Sequence, residues 1–210
     1  MPRPPRNVLA VAPLGRALTA LLAVAAVTAL AAGGAKAASV RPDPHGVDAG
    51  RDALPPWPAP ADASAAVAAA GLEMLPAEGV VQHTHTHLDV LVDGRPVTVP
   101  AAIGIDEPRR RISPLHTHDT SGVIHVESPR LATFTLGQFM AEWRVPLDAK
   151  RIGGLHAGGG RHLSAYVNGR RAAGNPAALV LREHDEIALV FARDGDKHPV
   201  PKSYAWSNGL

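Results

Sequence analysis

Polar and apolar positions alternate through HLDVLVDGRPVTVP, residues 87–100, on both sides of Asp93-Gly94. An Asp-Gly pair between two alternating runs predicts a β-hairpin with a two-residue turn. That turn sets Val92 opposite Arg95, Val90 opposite Val97 and Leu88 opposite Val99. Successive strand side chains point to opposite faces. Leu88, Val90, Val92, Val97 and Val99 therefore share a core face, and His83, His85, His87 and Asp89 share the other. Pro96 cannot donate to a ladder, so the second strand is predicted to be an edge.

The pattern repeats at LHTHDTSGVIHV. A four-residue loop, Asp119 to Gly122, pairs His118 with Val123 and His116 with His125, so that His116, His118 and His125 point the same way. FTLGQFMAEW then changes to a helical period, with Leu136, Phe139, Met140 and Trp143 on one stripe. Thr135 and Gln138 form a capping box, and Phe134 and Phe139 a hydrophobic staple. GGLHAGGGR reads as a flexible connection, without the Lys-Ser/Thr ending of a phosphate loop. LSAYVNGRRAA turns tightly at Asn168-Gly169, and LVLREHDEIALVFA brings Ile187, Leu189 and Phe191 to the core. Hairpins, one amphipathic helix and further strands predict an α+β fold.

The ends read differently. Residues 1–38 combine Arg3, Arg6 and Arg16, an apolar run and Ala35-Lys36-Ala37, which predicts a signal peptide or, left uncleaved, a membrane anchor. Residues 39–60 are rich in Pro and Ala and predict a linker. Residues 61–79 predict a short helix capped by Asp62 or Ser64 and ended by Gly71, with its connection. The histidine-rich domain spans 80–192, and 193–210 is a polar tail predicted to be poorly ordered.

Composition changes the picture in two places. The formal net charge is +2 and the sequence pI about 9.3. Of the 21 Lys and Arg, four (Arg3, Arg6, Arg16 and Lys36) lie in the leader, which holds no acid; 17 then face 19 Asp and Glu. The basic pI thus gives no argument for nucleic acid, and Arg109-Arg110-Arg111 reads as a solvated loop. There is no Cys, which excludes disulfides, thiolate metal sites and a lipobox anchor.

YVNGRR followed by LREHDEIALV resembles the closing strands of β-grasp domains, which implies a last strand in the centre of the sheet. QHTHTHLDVLVDGRPVTVPAAIGI, SPLHTHDTSGVIHVES and FTLGQFMAEW together resemble an uncharacterised family of exported, histidine-rich proteins of actinobacteria and archaea. That resemblance implies export and supplies no activity, so chemistry must come from the residues.

Six of the 11 histidines fall between residues 83 and 125. Imidazole is the commonest metal ligand. Two residues apart on a strand, Cα atoms stand about 6.6–6.8 Å apart, close enough for both rings to lean onto one ion. Two such H-x-H pairs with a phased His125 predict a site of His83, His85, His87, His116, His118 and His125. His83 stands at its mouth. Asp119 either orients an imidazole or shapes its turn, and Glu127 lies beside the ligands or in solvent. His45, His184 and His198 read as solvated, and His156 and His162 flank the Gly-rich loop. Nitrogen ligation without thiolate fits Cu(II) or Zn(II), with copper slightly ahead on affinity order. The leading reading is an exported protein that sequesters or delivers the metal. Behind it stand a metal-free β-grasp interaction module with a structural histidine network and, third, a His-ligated metalloenzyme, for which no HExxH or G-x-S-x-G signature is present.

Overall fold

The computed structural model describes residues 52–207 and 210. The signal or anchor over 1–38, most of the predicted linker and His45 lie outside the described residues.

The elements run in order α1 (Ala63–Ala69), β1 (Gln82–Val92), β2 (Arg95–Val97), β3 (Ile105–Asp106), β4 (Arg111–Ile112), β5 (Leu115–His116), β6 (Val123–Ser128) and α2 (Leu136–Glu142). They continue with β7 (Leu147–Asp148), β8 (Arg151–Ile152), β9 (Leu155–His156), β10 (Arg161–Val167), β11 (Arg170–Ala172), a 3-10 turn (Pro176–Ala178) and β12 (Glu186–Arg193). This is an α+β fold built on one mixed sheet in the order β11-β10-β12-β1-β6-β5, with β2 also paired to β1. The last strand, β12, is central and runs parallel to β1.

The first hairpin has the predicted register, Val90 opposite Val97 and Val92 opposite Arg95. Asp93 and Gly94 both have positive φ, 49° and 76°, as the favoured two-residue turn requires. β2 lies at an edge and stops at Val97, so Val99 reaches the core from outside the ladder. The second hairpin pairs His116 with His125 as expected, but its ladder ends there. The Thr117 N–H donates to Ile103 O and its carbonyl accepts from Ala102 N, which draws residues 117–118 away from β6.

One face of the sheet carries the core. Leu88, Ile124, Ile187 and Leu189 are fully buried against Leu136, Phe139, Met140 and Trp143 of α2. The Thr135–Gln138 capping box closes the start of α2 in both directions. Asp62, rather than Ser64, caps α1 by accepting from Ala65 N at 3.0 Å, and Ala66 and Val67 are wholly buried.

Two expectations from composition are corrected. Within the predicted linker, Trp57 is buried edge-on against Trp143, with ring centroids 5.8 Å apart, and its carbonyl accepts from Trp143 Nε1. Within the predicted tail, Val200 packs on the second sheet face beside Leu91 and Val190. Tyr204 stacks on His87 at 4.0 Å, and Trp206 on His184 at 4.6 Å. Segments that look polar on average are held by a few large side chains.

Candidate metal centre

Register builds the site. β1 and β6 pair antiparallel with His85 opposite His125 and His83 opposite Glu127. β5 and β6 pair with His116 opposite His125. His85, His125 and His116 therefore stand in a row across three strands, on the face away from the core. The 85 and 125 rings meet edge to face at 4.7 Å, and the 116 and 125 rings stack at 5.2 Å. His118, beyond the end of β5, folds back edge-on to His125 at 4.5 Å.

The donor atoms converge. Nε2 of His83 and Nε2 of His85 are 3.2 Å apart, as are Nε2 of His116 and Nε2 of His118. Glu127 Oε1 lies 3.2 Å from His125 Nδ1, 3.3 Å from His83 Nε2 and 4.0 Å from His116 Nε2. Tetrahedral donors at the usual zinc bond length of about 2.0–2.1 Å stand about 3.3–3.4 Å from one another. Two groups, His83-His85-His125-Glu127 and His116-His118-His125-Glu127, each keep one ligand atom per residue within 4.8 Å of the others. These groups lie close enough to hold a metal ion.

Burial sets their protonation. His116 is wholly buried, and burial pushes its pKa down to about 3. Burial and the neighbouring ring of His118 bring His125 to about 4. Burial and His83 lower His85. These rings are neutral near pH 7 and each keeps a lone pair. In His116 the tautomer is fixed as well: Nδ1–H donates to the Ser113 carbonyl at 3.0 Å, which leaves Nε2 bare toward the cluster. Burial, with the Glu78 carboxylate nearby, raises Glu127. The side chains of His83 and His118 are 55% and 46% exposed, so the cluster opens to solvent at both ends.

Five of the six predicted histidines are thus brought together, and His87 is not. Its Nδ1 is 2.7 Å from Glu186 Oε2, and its Nε2 is 2.8 Å from the carbonyl of Ser121. A carbonyl cannot donate, so Nε2 carries a proton. Burial opposes charge on this ring, but Glu186 and Ser121 outweigh it and raise its pKa. With Asp89 and Glu186 it forms a separate buried group. Gly122, at φ 91°, lets the loop pass here: a Cβ on it would stand 2.6 Å from Leu88 O and 3.0 Å from His87 Nε2.

Asp119 takes the turn role, accepting from Ser121 N at 2.8 Å. Glu127 is more central than its sequence position suggests, and the period-2 step from His125 already placed the two on one face. Glu78, 3.5 Å from His118 Nε2, and Glu183, which accepts from His85 N, carry no sequence signal because they lie outside the strands. His162 pairs with Asp194 at 2.8 Å, His184 with Glu183 at 3.0 Å and His198 with Asp196 at 3.9 Å; His156 is exposed. Arg109 binds Asp106, and Arg111 donates to Met74 O. Among the described residues, no helix is long and apolar enough to cross a membrane. No protein-family model, curated protein or solved structure matches this chain.

Proposed function

We propose that this chain is an extracytoplasmic metal-binding protein that holds Cu(II) or Zn(II) for sequestration or delivery. The observation that carries this is the placement of Glu127: one buried carboxylate oxygen within 4.0 Å of three imidazoles, between two Nε2 pairs 3.2 Å apart. A carboxylate ringed by imidazole nitrogens, two of them on rings that burial holds neutral, supplies the donors a cation needs. Imidazole with one carboxylate suits both ions, and the affinity order places Cu(II) ahead of Zn(II). Export and a possible tether both rest on the leader over residues 1–38. A central last strand parallel to the first, with α2 following β6, supports the β-grasp reading of the fold.

The test is titration of the metal-free full chain, carrying no polyhistidine tag, with Cu(II) and Zn(II) in turn. Saturable binding that resists competition by free histidine supports the proposal, and its absence for both ions removes it.

A metal-free histidine network is the second reading. The 3.2 Å Nε2 contacts also suit one imidazole donating to its neighbour. That reading predicts equal thermal stability with and without metal. Bound ion stabilises the fold in proportion to the logarithm of its concentration, so a melting series in added Zn(II) separates the two.

A further inference from the structure

The donors form two overlapping quartets rather than one. His83 and His85 come from β1, and His116 and His118 from the β5 side, while His125 and Glu127 of β6 belong to both sets. Each set keeps its donor atoms within 4.8 Å of one another, and among the described residues no such set contains both outer pairs. Each outer pair instead closes on the middle strand. Glu127 Oε1 lies 3.3 Å from His83 Nε2 on one side and 4.0 Å from His116 Nε2 on the other. From these distances we infer a two-ion centre: one ion held by His83 and His85, one by His116 and His118, bridged by Glu127, with His125 completing one of the two. The inference rests on the metal-binding reading above.

Charge supports the count. Two divalent cations in one site repel strongly unless anions surround them. Besides Glu127, the carboxylate of Glu78 lies 3.5 Å from His118 Nε2, Glu183 accepts from His85 N, and Asp119 follows His118 in the turn. Glu127 and Glu78 thus set two carboxylates against the ring nitrogens, with those of Glu183 and Asp119 beside the segments that carry the ligands. The expected metal–metal separation is that of carboxylate-bridged two-metal sites, about 3.5–4 Å. The exposed flanks of His83 and His118 admit a solvent ligand to each ion.

The experiment loads the full-length chain with Cu(II), counts ions per chain after gel filtration, and records the EPR spectrum. Two coppers per chain with a half-field transition is the expected result. Single variants His83→Ala and His118→Ala, both at exposed positions, should each hold one copper and lose the half-field transition. One ion per wild-type chain overturns the two-ion inference while leaving the proposed function standing; so do two coppers whose signals simply add. No retained copper overturns the two-ion inference, and the Zn(II) titration then decides whether the proposed function falls with it. A variant that unfolds is recognised by circular dichroism, and the wild-type count then decides alone.

Discussion

At the residue scale, two buried glutamates on opposite faces of the sheet behave differently. Glu127 is surrounded by imidazoles. Glu142 lies in the core, where its Oε1 accepts from Ser113 Oγ and its Oε2 has no partner. Burial raises the Glu142 pKa to about 8, against the Ser113 hydrogen bond. A carboxyl with a raised folded pKa binds its proton more tightly in the folded state. Its contribution is therefore favourable below about pH 4.5 and falls as pH rises toward 8. Urea denaturation should show a loss on the order of 2–4 kcal/mol between pH 5 and pH 8 from this group. Glu142→Gln should flatten that slope; an unchanged slope would show that Glu142 is ionised when folded. Glu127→Gln keeps the volume at the other site but removes the anion, and should weaken Zn(II) binding by at least tenfold in calorimetric titration, with the circular dichroism unchanged.

At the element scale, local chemistry was readable where neighbours in sequence are neighbours in space. Asp93-Gly94 set the first hairpin register; the pairing of His116 with His125 also matches expectation, although residues 117–118 leave the ladder and the expected four-residue loop does not form. The capping box of α2 is the same kind of signal. Thr135→Ala should cost about 1 kcal/mol in denaturant unfolding and leave metal affinity untouched, because α2 packs on the opposite face. What was not readable is the β1–β6 ladder. It brings His83 and His85 to Glu127 and His125 across some forty residues, and no local spacing encodes that register. Glu78 and Glu183 escape notice for the related reason that loops place them. His87 stands apart from the other five because alternation gives a face but not a partner: Glu186 arrives from β12, about a hundred residues away.

At the scale of the whole molecule, the protein has two working sides. One sheet face is packed by α2 and Trp57, with α1 laid against α2; the other carries the histidines and is partly covered by the C-terminal segment. Mean composition mistook both covering segments for linker and tail. The stronger signal was a Trp or Tyr in a chain with only 3 Trp and 2 Tyr. Trp57→Ala should cost about 3–5 kcal/mol, measured by thermal or denaturant unfolding, and a cost below 1 kcal/mol would mean that the segment is not part of the core. The most direct test of the central claim is an anomalous difference map from crystals of the Zn(II)-loaded chain, recorded on both sides of the zinc edge. The account predicts peaks beside Glu127, about 2.0–2.1 Å from imidazole nitrogens of His83, His85, His116, His118 and His125. Zinc found only at the His87 group or on exposed histidines such as His156, with none at Glu127, would contradict it.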